Sequence, residues 1–381
     1  MRVLHIIPGV EATDGGPSQT IFPMCRTLSE LGIKVTLATT SFGDDSHSAR
    51  QVGGVETHFF KSDWGESFKY SRALATWLDR NVKDFDLLHI HAVFNHSSIA
   101  AARACYRHGI PYIVRPLGSL DPWGMKQKRW RKYLFWKAYG KSMCGRSAAM
   151  HYTVSEEKRA SEQSLGLNHG VVIPLGVQRS SATCNDDLDT FHVTKPYVLV
   201  LSRLLPAKGI APLIEAFLHI TSTPEFVDWK LVIAGDGPAD FVAELRNITQ
   251  RHRREASVVF TGWLDAEQKS CALRSAELLA LPSQHENFGL CVLEALAEGV
   301  AVLVSPHVGL AEEIRLHDAG WVVAVDSGAI ANALVEAFRD EHLRRKRATA
   351  AKELSHKFEW SVVGRQLETL YHSVIAKRST N

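Results

Sequence analysis

Residues 283–305 read "SQHENFGLCVLEALAEGVAVLVS". Two acids, Glu286 and Glu294, stand eight positions apart across an Asn-Phe-Gly corner, and an apolar run, a glycine and a β-branched run follow. The preceding "LLALPS" has the length and apolarity of a buried strand, and "GLCVLEALAEG" repeats apolar residues at helical spacing until Gly299 stops it. Glu286, Asn287 and Phe288 therefore fall in a turn between the carboxyl end of a strand and a helix. Unpaired N–H groups at such a helix start attract anions, and the helix dipole favours negative charge there. A phosphate beside the turn, sugar hydroxyls on Glu286 and a ribose diol on Glu294 would suit these residues. Two ordinary solvated acids around a turn would suit them equally well.

Outward from this stretch the chain alternates short β-branched runs with amphipathic ones. Strands are expected at "VLHII" (3–7), "KVTLATT", "VETHFF" (55–60), "LLHIH" (87–91), "YIVRP" (112–116), "MHYTV" (150–154) and "VVIP" (171–174), with a helix over about Ile21 to Leu31. A polar stretch without period, "GVQRSSATCNDDLDTFHVTKP", interrupts the rhythm. The alternation restarts with "YVLVL" (197–201), "KLVIAG", "SVVFTG", "LLALPS", "AVLVS" and "GWVVAV" (320–325). A chain of 381 residues exceeds one ordinary core. The pattern predicts two doubly wound parallel-sheet α/β domains, 1–175 and 196–358, joined by a linker over 176–195. The segment 359–381 reads as an amphipathic helix with Trp360, Val363, Leu367, Leu370, Tyr371 and Val374 near one face. Ligands of such domains gather at the carboxyl ends of the strands, so the two sheets are expected to face one another across a cleft.

Composition sets the remaining bounds. A hydrophobic share of 45% with 22% charged residues is that of a soluble globular protein, and a net charge of +3 gives no argument for nucleic acid. Six scattered cysteines without metal-like spacing read as free thiols in a reducing compartment. No cleavable leader is evident before "VLHIIPG", and no run reaches the ~18 apolar residues of a membrane span, so a cytoplasmic location is expected.

The 283–305 stretch resembles the E-x7-E motif of retaining glycosyltransferases of family 4, which have the GT-B fold of two Rossmann-like domains. The resemblance extends over nearly the whole chain. It implies that Glu286 contacts hydroxyls of the transferred sugar, that the backbone of Asn287, Phe288, Gly289 and Leu290 contacts sugar and phosphate, and that Glu294 binds the nucleotide ribose. In "VLSRLLPAKGI", Arg203 and Lys208 match the family's cations for the donor diphosphate, with Ser202 where the family usually has glycine. Such cations stabilise the charge that grows on a departing nucleoside diphosphate. By the same resemblance Gly235 and Trp263 shape the base and ribose pocket, Gly15 and Gly16 face the donor phosphates, and the terminal helix crosses back to the first domain.

Two further features concern the acceptor. "HIHAVFNH" carries His89, His91 and His96; His91 reads as a cleft-lining polar group, and a metal site lacks a clear third ligand. Where many family members have a histidine, "IVRPLGSLDPW" places Arg115 or Pro116, and an arginine there could hold an acceptor group but not shuttle a proton. Asp187-Leu-Asp189 spells D-x-D but lies in the linker, so no metal or other cofactor is expected. The stretch 125–146 carries eight Lys or Arg, no acid and interleaved aromatics. It reads either as a helix lying peripherally on the inner, anionic face of a membrane, beside a lipid-linked acceptor, or as an amphipathic helix with its aromatics in the core.

The implied function is retaining transfer of a hexose from a nucleotide diphosphate sugar, UDP-glucose ahead of GDP-mannose, to a hydroxyl of a glycan or lipid-linked glycan in polysaccharide biosynthesis. The alternatives are a non-catalytic nucleotide-sugar-binding subunit and another GT-B enzyme, an epimerase or a sucrose-type synthase.

Overall fold

The computed structural model describes residues 1–11, 15–42, 46–178, 193 and 196–379. Most of the expected linker, Asp187, Asp189 and Cys184 lie outside these residues. The described chain forms two compact units, Met1–Gly176 with Trp360–Asn381, and Val177–Glu359.

The first unit carries an eight-stranded sheet with β1 (Arg2–Ile7), β2 (Lys34–Ser41), β3 (His47–Val52), β4 (Val55–Lys61), β5 (Leu87–His91), β6 (Tyr112–Arg115), β7 (Ala149–Tyr152) and β8 (Gly170–Val172), in the order β3-β4-β2-β1-β5-β6-β7-β8. Every pairing is parallel except β3 with β4. The expected strands are present, and β3 is an addition. Gly53 and Gly54, at φ of 58° and 82°, turn β3 directly into β4 as a two-residue hairpin. Gly-Gly between two runs is the sequence signal for such a turn, but β3 itself, "HSARQV", is mostly exposed and lacks an apolar face.

The second unit holds β9 (Tyr197–Leu201), β10 (Lys230–Ala234), β11 (Val258–Gly262), β12 (Leu278–Leu281), β13 (Val302–Val304) and β14 (Gly320–Val322), all parallel, in the order β11-β10-β9-β12-β13-β14. Its core packs Val198, Val200, Ile233, Ala280 and Leu303 against helices Ile210–Ile220 and Ser327–Arg339. In both units the central strands, β1, β5, β9, β10, β12 and β13, are short, largely apolar and almost wholly buried, as strands of a parallel sheet covered on both faces must be.

Strand β5 shows how the first unit divides its two faces. Leu88 and Ile90 enter the layer that includes helices Arg72–Asn81 and His96–His108, whereas Leu87 lies in the opposite layer. That second layer is covered by helix Gly16–Glu30 and by the terminal helix Trp360–Ser379, whose Val363, Leu367, Leu370, Tyr371 and Val374 are all buried in it. His5, His89, His91 and His151 are buried on this side together with the Tyr371 hydroxyl. His89 Nδ1 lies 2.7 Å from the Tyr371 oxygen, His5 Nδ1 lies 3.0 Å from His91 Nε2, and His151 Nδ1 lies 3.2 Å from His89 Nε2. The helix is therefore fastened to the sheet by a polar cluster as well as by apolar packing.

Burial, aided by the neighbouring Arg115 charge, lowers the pKa of His5 and His151 to about 3 and holds His89 and His91 well below the ordinary histidine value. A folded-state pKa below the unfolded one means that the unfolded chain binds more protons as pH falls. Stability from this cluster is complete above about pH 6.5 and declines from there toward pH 3, by up to about 1.4 kcal/mol per pH unit for each histidine. Urea unfolding at pH 7 and pH 5 should show this loss. It should shrink in His151→Gln, which keeps a donor for the carbonyl that His151 now serves; an unchanged pH dependence would contradict the assignment.

Candidate functional site

In the second unit the loops at the carboxyl ends of β9, β12 and β13 meet. The Glu286 N–H donates to the His307 carbonyl at 3.0 Å, and the Glu286 carbonyl accepts from Gly309 N–H at 2.9 Å, so the turn after β12 is tied to the loop after β13. Gly309 permits this approach, because a Cβ there would lie 2.0 Å from the Asn287 carbonyl oxygen. Phe288 turns inward, 3% exposed, with its ring edge toward Phe358. Gly289, at φ 91°, then starts helix Leu290–Glu298, which has no side-chain cap at its N-terminus. The first-turn N–H groups are thus left to water or to a ligand.

The Glu286 carboxylate forms an ion pair with Lys208. Lys208 ends a short turn, Pro206–Lys208, and Gly209 follows at φ 67°. A Cβ on Gly209 would lie 2.0 Å from the Pro282 carbonyl, so glycine is required for the Lys208 loop to lie against the end of β12. Glu294, partly buried on its helix, accepts from Lys269 Nζ at 2.7 Å. Cys291 lies within the electrostatic reach of both pairs, and burial, with the two carboxylates adding, pushes its thiol up to about 12. Arg203 is exposed in the loop after β9. Gly235 follows β10 at φ 135°, where a Cβ would meet the Ser202 carbonyl at 1.9 Å; Trp263, 55% exposed, follows β11.

The structure therefore brings Glu286, Lys208 and the 287–290 turn together, sets Glu294 on the same helix, and leaves Arg203, Gly235 and Trp263 on loops at the same edge of the sheet. Lys269 was not anticipated. It sits in a polar helix, Ala266–Ser275, where a lysine reads as solvated, and only the tertiary fold pairs it with an acid 25 residues away. Gly209 and Gly309 were also missed, since their necessity comes from carbonyls on other loops.

In the first unit, Gly15 at φ 87° precedes helix Gly16–Glu30, and its carbonyl accepts from the N–H and the hydroxyl of Ser18 at 3.1 and 2.6 Å. His91 and Arg115 are opposed across the β5–β6 pair and are 1% and 2% exposed. His96 is separate, accepting from Ser71 N–H and lying against Tyr70.

The basic stretch is not one helix. Lys128, at φ 50°, breaks it between Pro122–Lys126 and Arg129–Phe135, and a π-turn and a further short helix follow. Trp136 is buried and Phe135 half-buried, whereas Trp130, Tyr133, Leu134 and Tyr139 are 65%, 51%, 57% and 39% exposed. The stretch thus divides its aromatics between the core and the surface. Among the described residues no helix is long and apolar enough to cross a membrane. Cys25, Cys105, Cys144 and Cys291 are free thiols, but Cys271 is disulfide-bonded, which corrects the expectation of six free cysteines. Scattered spacing alone could not reveal which cysteine the fold brings to a partner.

Comparison with known proteins bears on the whole chain. Residues 14–180 match the model described as Glycosyltransferase Family 4, and residues 189–354 match that described as Glycosyl transferases group 1. A phosphatidyl-myo-inositol mannosyltransferase of Mycobacterium tuberculosis is 32% identical over 224 residues; the chain spans 57% of that protein's length, using 57% of its own. Sucrose-phosphate synthase from Thermosynechococcus elongatus superimposes with a TM-score of 0.78 at 18% identity over 99% of both chains. The Anabaena protein HepE in complex with UDP and glucose does so with a TM-score of 0.77 at 18% identity, covering 98% of this chain and 100% of that one. Two parallel-sheet α/β units, the paired glutamates and these matches lead to one conclusion: the chain belongs to glycosyltransferase family 4 and has the GT-B fold.

Proposed function

We propose that the protein is a retaining glycosyltransferase that moves a hexose, glucose from UDP-glucose, to a hydroxyl of a glycan or lipid-linked glycan in polysaccharide biosynthesis. The observation that carries this reading is the pairing of both motif glutamates with lysines at one edge of the second sheet, Glu286 with Lys208 and Glu294 with Lys269. Each pair stores an acceptor for hydroxyls beside a cation for phosphate. On donor binding, hexose hydroxyls take over Glu286 and a ribose diol takes over Glu294, and Lys208, released, joins Arg203 on the diphosphate. The uncapped start of helix Leu290–Glu298 adds N–H donors for phosphate.

The bond that breaks joins the anomeric carbon to the diphosphate oxygen, and the electron pair leaves with the diphosphate. The acceptor oxygen forms its bond on the same face and passes its proton to the departing phosphate oxygen. The anomeric configuration is retained without a nucleophilic carboxylate, unlike the two-carboxylate arrangement of retaining glycosidases. Because Arg203 and Lys208 supply the charge that stabilises the leaving group, turnover is expected to persist in EDTA.

UDP-glucose is supported by the fold shared with HepE, whose structure contains UDP and glucose. Transfer of mannose is the second reading, favoured by the likeness to the mycobacterial mannosyltransferase. An acceptor at a membrane surface is supported by the exposure of Trp130, Tyr133 and Leu134 in a segment with eight cations and no acid.

Purified protein should release nucleoside diphosphate from one donor in a panel of UDP-, GDP- and ADP-sugars. Glu286→Ala should lower kcat by about 10²–10³-fold, the scale of losing one preorganised transition-state contact, while nucleoside diphosphate binding measured calorimetrically persists. Binding without turnover in the parent would instead identify a non-catalytic nucleotide-sugar subunit. In flotation assays the protein should rise with vesicles containing anionic lipid and not with neutral ones. A triple serine variant at Trp130, Tyr133 and Leu134 should stay at the bottom; equal flotation of parent and variant would remove the membrane from the account.

A further inference from the structure

In the first unit, helix His96–His108 and the segment 138–146 flank an open cavity of about 460 Å3. It lies away from the edge of the sheet where ligands of doubly wound domains gather. One wall is Tyr112, the first residue of β6, and the residues from Met143 to Arg146 lead toward the amino end of β7. The Tyr112 hydroxyl donates to the Met143 carbonyl at 2.8 Å, which pins helix Lys141–Gly145 to the sheet. The cavity is thus distinct from the opposite edge, where His91 and Arg115 end their strands.

Three arginines line the cavity: Arg103 and Arg107, about one turn apart on the helix, and Arg146. No acid lines it. Arg107 is paired with Asp79, whereas Arg103 and Arg146 have no carboxylate partner among the described residues. Each lies instead over a tyrosine of the same cavity. The Arg103 guanidinium carbon is 5.2 Å from the centre of the Tyr139 ring, and that of Arg146 is 4.2 Å from the centre of the Tyr106 ring. Stacking occupies the face of a guanidinium and leaves its N–H edge free for two oxygens of one anion. Tyr106 and Arg103 stand three residues apart and so share a face of their helix. Arg146, stacked on Tyr106, is thereby brought beside Arg103. Two like charges gathered at one cavity repel each other, and an anion between them removes the repulsion.

The rest of the lining narrows the class of anion. Ile99, Ala102 and Met143 offer apolar surface, and Ser142 adds an exposed hydroxyl. A phosphate presents enough oxygens for two guanidinium forks, whereas a carboxylate fills only one. The apolar lining suits the carbons of an ester. Nucleic acid would need a row of phosphate contacts along a surface, which a single concave site does not offer.

We propose that this cavity is a binding site for a phosphate ester held between Arg103 and Arg146, the ester being the headgroup of an anionic phospholipid or a soluble phosphate ester of a small polyol. The site stands independently of the glycosyltransferase reading.

The test is calorimetric titration of the full-length protein with glycerol phosphate, with glycerol as the uncharged control, in the presence of saturating UDP. Glycerol phosphate should bind saturably and glycerol should not. Arg103→Gln/Arg146→Gln should weaken binding at least about tenfold, the worth of one charge-assisted hydrogen bond. Lys137→Gln/Lys141→Gln, which removes two charges from the same segment but outside the cavity, should bind as the parent does. Ser142→Asp keeps both arginines, sets a negative charge on the wall and should also abolish binding, so the test survives a glutamine variant that fails to fold. Equal weakening in the arginine and lysine variants would reduce the effect to diffuse attraction and overturn the site. Undiminished binding in the arginine variant would place the ligand elsewhere and overturn it too, as would a parent that does not bind glycerol phosphate. Flotation with vesicles of phosphatidylcholine and phosphatidylglycerol then separates the two sources. Release of the parent by added glycerol phosphate assigns the cavity to lipid headgroups; flotation that glycerol phosphate leaves unchanged assigns it to a soluble ester.

Discussion

The ion pair between Lys208 and Glu286 joins loops 78 residues apart in sequence, and the geometry of the second unit is arranged so that it can form. Lys208 reaches Glu286 only because Gly209 lets its loop lie against the Pro282 carbonyl, and Glu286 is presented only because Gly309 lets the next loop pass under Asn287. Phe288, buried between them, anchors the turn. A carboxylate tied by its backbone to one loop and by its side chain to another loses little entropy when a ligand replaces the lysine. That is the physical content of preorganisation.

The first unit solves a different problem. Its sheet must bury the terminal helix although β1, β5 and β7 place four imidazoles on that face. Neutral histidines can do so when they hydrogen-bond to one another, and the hydroxyl of Tyr371 links His89 with His5. The arrangement makes the attachment of the helix sensitive to acid.

Much of this was legible in the sequence where burial is continuous. The strands from "VLHII" to "GWVVAV" were found because parallel strands covered on both faces are apolar throughout, and the apolar stripe of the terminal helix because its period is regular. Strand β3 was not, since an edge strand with exposed polar residues carries no such stripe. The break at Lys128 had no proline or glycine to announce it. Glu286 and Glu294 stood out by their spacing around a turn. Their partner Lys269, the obligatory Gly209 and Gly309, and the histidine chain did not, because each depends on which loops the fold brings together.

The account turns on whether the two glutamates receive a nucleotide sugar. A crystal structure of the protein soaked with UDP-glucose tests this most directly. The prediction is that both lysine pairs open, with the ribose diol on Glu294, hexose hydroxyls on Glu286, and the diphosphate between Arg203, Lys208 and the start of helix Leu290–Glu298. Nucleotide bound elsewhere, with Lys208–Glu286 and Lys269–Glu294 intact, would contradict it.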